Sequence, residues 1–134
     1  MRSLSTRVKA CAVPAKAQHL LTATENVRFS ASDSVRDGFP GWSITGLFYA
    51  ALHYVDAYLA TQGAPGGIHP ASHVARGALV ATDPVLAQIY PQYRRLKDRS
   101  EDARYRLFTF TPADVERLAQ NELASIQEQV APLL

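Results

Sequence analysis

The 134-residue sequence has one cysteine, Cys11, so no disulfide can form within the chain, and a reducing compartment is expected. No alternating strand pattern, internal repeat or low-complexity tract is present. The net charge of +2 is too small to indicate nucleic-acid binding by itself. The basic N-terminus lacks the apolar run of a secretory signal. We expect a flexible segment over residues 1–14, a single domain over 15–134, and a cytoplasmic location.

One stretch, Trp42 to Gln62, contains no lysine, arginine or glutamate, and Asp56 is its only acidic residue. A helix that is apolar nearly all round is surrounded by protein or by lipid. Its scattered hydroxyls, its histidine and its buried carboxylate argue against lipid. The sequence therefore predicts a central helix buried in protein. That helix should stop at Gly63, where a cluster of three glycines and two prolines begins.

An amphipathic helix is predicted before it, from Ala15 to Ser34, because apolar and small residues recur every three or four positions. The residues expected to face the core are Ala17, Leu20, Leu21, Thr24, Val27 and Ala31. Those expected towards solvent or at the edge of the core are His19, Glu25, Asn26 and Arg28. The segment SDSVRDGFPGW that follows has turn chemistry and is predicted to be a loop.

After the glycine-rich linker, a short helix from Pro70 is predicted, with Ser72 as a possible cap and Val74, Ala78 and either Val80 or Ala81 inward. Asp83-Pro84 indicates the start of a longer helix. Its seam repeats at spacings of three and four: Leu86, Ile89, Tyr93, Leu96, Ser100, Ala103 and Leu107. Pro91 is expected to kink or break it. Six of the nine charged residues between the seam positions are basic. Lys97 with Glu101, and Asp102 with Arg106, stand four apart and are predicted to pair.

A last helix is predicted to begin after Thr111, which is a favourable N-cap, with Pro112 in its first turn. Its apolar stripe is Val115, Leu118, Ala119, Leu123, Ile126 and Val130. Pro132 is expected to end it. Four main helices and a short one predict an all-α, up-and-down antiparallel bundle of four or five helices.

Two polar groups stand out as candidate sites. His53 and Asp56 lie three apart on the central helix, which suits either a general base or a buried hydrogen bond. His73 and Arg76 likewise share a face of the short helix, beside Ser72. Since no two histidines and a carboxylate stand at metal-ligand spacing along the chain, no metal or other cofactor is expected.

Three stretches together resemble the HEPN domain family: FYAALHYVDAYLATQG, SHVARGALV and IYPQYRRLKDRSEDARY. The similarity runs from Trp42 to Tyr105. It implies an antiparallel helical bundle that forms a homodimer and associates with RNA or nucleotides. It also implies a toxin–antitoxin or defence setting, often beside a nucleotidyltransferase partner.

The sequence departs from the family at one point. Active ribonucleases of the family carry an arginine and a histidine separated by four to six residues. Here Arg99 is the corresponding arginine, and Tyr105 stands where that histidine would be. This departure argues against ribonuclease activity.

The leading hypothesis is a groove that binds RNA or a nucleotide phosphate, with Arg76 and Arg104 as its phosphate contacts. The expected ligand-binding residues are His53, Asp56, His73, Arg76, Ser100, Arg104 and Tyr105. Weak catalytic candidates are His53, His73 and Arg99, which a divergent enzyme would use. The alternative is a non-catalytic protein-interaction module whose polar residues form an internal structural network. Burial and mutual bonding of the polar set would favour the module, and an open cleft would favour the binding site.

Overall fold

The computed structural model describes residues 15–63 and 66–134, and within these ranges the chain is helical with no strand. The helices are α1 (Lys16–Ala31), α2 (Asp33–Gly38), α3 (Pro40–Leu59), α4 (His73–Thr82), α5 (Tyr90–Arg104), α6 (Pro112–Leu118) and α7 (Ala124–Val130). Short 3-10 turns cover Leu86–Ile89 and Ala131–Leu133, and a π-helical turn covers Ala119–Leu123. The predicted all-α bundle is confirmed. The segment 1–14, with Cys11, lies outside the described residues.

Helix α3 is the buried centre of the bundle, as predicted. Ile44, Val55 and Leu59 have no exposed surface, and α1 and α5 pack along α3. The helix begins at Pro40, two residues before the predicted start, because proline suits a first helical turn. Trp42 therefore lies within the first turn and is 58% exposed. None of the helices in the described part of the chain combines the length and hydropathy of a membrane crossing.

Helix α1 turns a different face to the core from the one predicted. Its buried residues are His19, Ala23 and Ser30, whereas Leu21 is 62% exposed. The expected inward residues Ala17, Thr24 and Ala31 are also exposed. The reason lies in the partner helix, where Gly46 leaves no side chain between the backbones.

Two serines join α1 to α3 at this close approach. The Ser30 hydroxyl donates to the Ser43 carbonyl at 2.9 Å, and the Ser43 hydroxyl donates to the Ser30 carbonyl at 2.5 Å. Both side chains are buried. The α1–α3 contact is thus made by small and polar residues, which hydrophobic periodicity does not detect.

The predicted loop over residues 33–38 is helix α2. Arg36 donates to Asp33 at 2.9 Å and to Asp37 at 3.1 Å, which gives this short helix local ion pairs. The helix ends at Gly38, and Phe39 joins it to α3 with 64% of its surface exposed. The turn chemistry of the segment marks the two ends of α2 rather than a continuous loop.

Helix α4 is capped by Ser72, whose hydroxyl accepts from the Ala75 amide at 3.0 Å, as predicted. Its inward face is the expected one only at Val80. Val74 is 84% exposed, and Ala78 is exposed as well, whereas Arg76 and Val80 are buried. Burial of Arg76 sets this rotation, because its charge has a partner on α3, described below.

Asp83 accepts from the amides of Val85 and Leu86 at 2.9 and 3.0 Å and so begins a 3-10 turn rather than the long helix itself. Helix α5 then starts at Tyr90, and Pro91 lies in its first turn. The predicted break therefore falls at the junction of the two.

The seam is buried from Leu86 to Ser100. The predicted burial of the seam does not extend to Leu107, which is 84% exposed with a φ of 57°, because α5 ends at Arg104. The predicted pairs Lys97–Glu101 and Arg106–Asp102 form at 2.8 and 2.7 Å.

The C-terminal helix follows its prediction closely. The Thr111 hydroxyl accepts from the Asp114 amide at 3.2 Å, and the Asp114 carboxylate accepts from the Thr111 amide at 2.8 Å. This reciprocal cap lowers the pKa of Asp114. The predicted stripe faces the core: Val115, Leu118, Leu123, Ile126 and Val130 are buried and Ala119 is half-buried.

Candidate functional site

A buried ion pair joins α3 to α4. Arg76 Nε donates to Asp56 Oδ1 at 2.8 Å, and Arg76 Nη2 donates to Asp56 Oδ2 at 3.0 Å. The two side chains are 11% and 8% exposed. Such a paired fork leaves the arginine charge neutralised by the carboxylate. The Arg76 guanidinium is therefore not accessible to a phosphate, which argues against the hypothesis that Arg76 is a phosphate contact.

Beside this pair, two histidines from different helices meet. His19 Nδ1 of α1 lies 3.0 Å from His53 Nδ1 of α3, with the ring centroids 5.3 Å apart. Burial lowers the pKa of both imidazoles, so both are neutral near pH 7. In that state one Nδ1 donates to the other. The hydrogen-bond partner of His53 is thus His19, and not the expected Asp56.

Sequence reasoning missed His19 and placed it towards solvent or at the edge of the core. A signal was present, since the positions 19, 23, 26 and 30 recur at spacings of four, three and four. The residues there are His19, Ala23, Asn26 and Ser30. None of them is strongly apolar, so a search for a hydrophobic stripe selects the opposite face.

Towards the N-terminal end of the same face of α3, an open depression of about 620 Å³ lies between the start of α3 and the end of α5. We call it the aromatic cleft, and its lining residues are Phe39, Gly41, Trp42, Thr45, Tyr49, Ala103, Arg104 and Tyr105. Trp42 and Tyr105 are 58% and 71% exposed. Rings held open in this way offer π-faces to a ligand. Of these residues, only Arg104 and Tyr105 belong to the predicted binding set.

Arg104 is the charged group of the aromatic cleft. Its guanidinium carbon lies 4.9 Å from the Tyr105 ring centre and 5.6 Å from that of Tyr49. Its nitrogens donate to neutral oxygens at 3.3 Å, namely the Ser100 carbonyl, the Ser100 hydroxyl and the Tyr49 hydroxyl. Among residues 15–63 and 66–134, no carboxylate lies within ion-pair distance of Arg104. Its positive charge is therefore not paired by an acid in this part of the chain.

A smaller cavity of about 170 Å³ adjoins the cleft and shares Tyr49, Arg104 and Tyr105 with it. His73 lines this cavity, with its ring 6.3 Å from that of Tyr49. Burial lowers the pKa of His73, and the cations of Arg76, Lys97 and Arg104 lower it further. The structure thus brings His73, Arg104 and Tyr105 together. Ser100 lies beneath them, buried, and its hydroxyl donates to the Lys97 carbonyl at 2.8 Å.

Arg99 lies elsewhere. It lines a third depression, of about 410 Å³, which α6 and the π-helical turn complete. There Arg99 pairs with Asp102 at 2.5 Å and Arg95 pairs with Glu122 at 2.8 Å. The leading hypothesis expects His53, Arg76 and Arg104 in one groove, and the structure does not bring them together; Arg99, the weak catalytic candidate, lies on a further surface. Successive residues of a helix point in different directions, so these side chains fall on three surfaces.

Comparison of the chain with known proteins finds no similar family model, no similar curated protein and no similar solved structure. The resemblance to the HEPN family stays a prediction from the motifs.

Proposed function

We propose that this protein binds single-stranded RNA, or a nucleotide, in the aromatic cleft. A base stacks on the exposed rings of Trp42 and Tyr105, and a phosphate contacts Arg104. The observation that carries this proposal is Arg104 itself, a cation between two tyrosine rings that no described acid neutralises.

The cleft has the size and chemistry that such a ligand requires. Sites for small molecules have volumes of about 300–1,000 Å³ and combine apolar walls with a few polar groups. The cleft, at about 620 Å³, is within that range. Proteins that bind single strands without strong sequence preference use aromatic rings for the bases and cations for the backbone. Phe39 and Tyr105 at the two sides of the cleft, with Arg104 between α3 and α5, supply both.

The HEPN resemblance supports the same ligand class and extends the proposal. The extended proposal is that the protein forms a homodimer and acts with a nucleotidyltransferase partner in a toxin–antitoxin or defence setting. Cleavage is not part of it, because Tyr105 occupies the position of the catalytic histidine.

The single tryptophan of the chain, Trp42, lies in the cleft and makes the proposal directly measurable. We expect ten-nucleotide oligo(U) and oligo(A) to quench its fluorescence as a base stacks on the indole. Adenosine monophosphate, titrated separately, distinguishes a nucleotide site from a longer RNA site. The Arg104→Ala variant should bind at least about tenfold more weakly, since a charge-assisted contact to phosphate contributes about 1.5–3 kcal/mol.

The matched control is Arg94→Ala on the same helix. Arg94 is exposed and paired with Asp98 at 3.1 Å, away from the cleft. It should leave oligonucleotide affinity nearly unchanged. Loss of Arg104 should also reduce the slope of log affinity against log salt by about 0.7, the value for one single-strand phosphate contact. Equal affinity of the two variants, or no quenching by any of the three ligands, would contradict the proposal.

A second candidate function is the protein-interaction module, and a specific observation favours it too. The exposed apolar residues Phe39, Trp42, Tyr105, Leu107 and Phe108 include three that line the cleft and two that follow α5. The buried pairs Asp56–Arg76 and His19–His53 form the internal network that this function expects. Dependence of a protein complex on Trp42 and Leu107, with no RNA binding, would favour the module.

A divergent ribonuclease would need another base in place of the missing histidine. His73 is the candidate for it, because it lines the same small cavity as Arg104 and Glu101. Incubation with labelled RNA, followed by gel analysis of the wild type and the His73→Ala variant, tests this. Cleavage that the variant loses would support the enzyme, and intact RNA with the wild type would exclude it.

A further inference from the structure

The pair of histidines and the aspartate beneath it form a cluster that the aromatic cleft does not use. One ring nitrogen of His19, one ring nitrogen of His53 and one Asp56 carboxylate oxygen all lie within 4.8 Å of one another. His19 and Asp56 are buried and His53 is half-buried. Two elements supply them, α1 for His19 and α3 for the other two. Among the described residues this is the group of histidine and acidic side chains arranged to surround one ion.

We propose that His19, His53 and Asp56 bind a divalent first-row transition-metal ion. Two imidazoles and one carboxylate on one side of the ion are a known ligand set for such metals, and they leave other coordination positions open. This proposal is independent of RNA binding, since its residues lie apart from the aromatic cleft.

The distance between the two histidine nitrogens fits this assignment. Metal–imidazole bonds are about 2.0–2.1 Å long, so two ligands at a right angle lie about 2.8–3.0 Å apart, and tetrahedral ligands about 3.3–3.4 Å apart. The observed Nδ1–Nδ1 separation is 3.0 Å. The two Nδ1 atoms are therefore spaced for neighbouring coordination positions of an octahedral or square-planar ion. For a tetrahedral ion, their separation must increase by a few tenths of an ångström.

Arg76 has two effects on this site. Its fork holds both Asp56 oxygens at 2.8 and 3.0 Å, which orients the carboxylate as an outer-shell partner does. It also neutralises the carboxylate charge, so that a bound dication keeps its own double charge. We therefore expect hydroxide or a small anion to complete the coordination, and an affinity below that of structural zinc sites, which have charged thiolate ligands.

The four histidines of the chain supply a matched experiment. His19 and His53 are in the cluster, whereas His69 and His73 are exposed and outside it. Ni²⁺ and Zn²⁺ are titrated separately into the full chain, without an affinity tag, by calorimetry. We expect one ion per chain for the wild type, His69→Gln and His73→Gln, and at least a tenfold loss of affinity for His19→Gln and His53→Gln.

A second measurement on the wild type avoids dependence on the folding of a variant. The imidazole nitrogens are labelled with ¹⁵N, and one equivalent of Zn²⁺ is added. Direct ligation should move the Nδ1 signals of His19 and His53 and leave those of His69 and His73 in place. Absence of binding, shifts confined to the two exposed histidines, or full affinity in His19→Gln and His53→Gln would each overturn the proposal.

Discussion

Two arginines of this protein differ in burial and in the partners of their guanidinium groups. Arg76 is buried between α3 and α4 with two bonds to the Asp56 carboxylate, whereas Arg104 lies at the rim of the bundle among neutral oxygens and aromatic rings. Arg76 has its counter-charge, the Asp56 carboxylate, inside the fold. Arg104 is open to an anion from outside the protein. The comparison separates a structural role for Arg76 from the binding role proposed for Arg104, which charge content along the sequence cannot do.

The largest effect is expected at the buried pair. Asp56→Ala leaves the Arg76 charge buried without a partner, which should lower the free energy of unfolding by about 3–5 kcal/mol. Urea denaturation of the wild type and variant measures it. The double variant Asp56→Leu, Arg76→Leu should be more stable than Asp56→Ala, because it leaves no unpaired charge. If Asp56→Ala lowers the free energy of unfolding by less than about 1 kcal/mol, Arg76 reaches solvent. The contrast between Arg76 and Arg104 would then be false.

A pH dependence should come from the same region. Burial lowers the pKa of His19 and His53 in the folded state, so between that pKa and the unfolded value near 6.5 the unfolded chain binds more protons. Stability is therefore full above pH 6.5 and falls as the pH drops through this range. Asp56 raises the pKa of both imidazoles and Arg76 lowers it, while His69 lowers the pKa of His19 and His19 lowers that of His53.

Urea titrations from pH 8 to pH 5 with a chelator present test this expectation. The double variant His19→Gln, His53→Gln should have a flatter profile, and Arg94→Ala, which removes an exposed arginine away from both imidazoles, should keep the wild-type profile. The contrary result is a stability that rises as the pH falls to 5, and only in chains that keep both histidines. It would mean that the histidine pair gains a proton on folding.

The smallest effect is expected at the cleft. Arg104→Ala removes long bonds to neutral groups and should cost less than about 1 kcal/mol of stability, while it weakens RNA binding. The same urea measurement, with Arg94→Ala beside it, checks the stability. A loss as large as that of Asp56→Ala would assign Arg104 to the structural network and favour the interaction module.

Local chemistry made part of the fold predictable. The apolar run of α3, the caps at Ser72 and Thr111, and the Lys97–Glu101 pair depend on residues within one helix or its ends. Each is decided by spacings of three or four residues, which the sequence displays directly. These predictions are confirmed for that reason.

The candidate sites depended on contacts between helices, which spacings along the sequence do not display. Nothing near Arg76 in the sequence shows that Asp56, twenty residues earlier, neutralises it. His19 and His53 are thirty-four residues apart and meet because Ser30, Ser43 and Gly46 let α1 approach α3 closely. The rotation of a helix about its axis follows from such contacts, and a wrong rotation moves every side chain to another surface.

The contrast between the two arginines can be measured in a single experiment. Phenylglyoxal modifies accessible guanidinium groups, and peptide mass spectrometry assigns each modified arginine. The account predicts rapid modification of Arg104 that ten-nucleotide oligo(U) suppresses, and modification of Arg76 only after the protein unfolds. Equal rates for Arg76 and Arg104 in the folded protein, or an Arg104 rate that oligo(U) leaves unchanged, would contradict it.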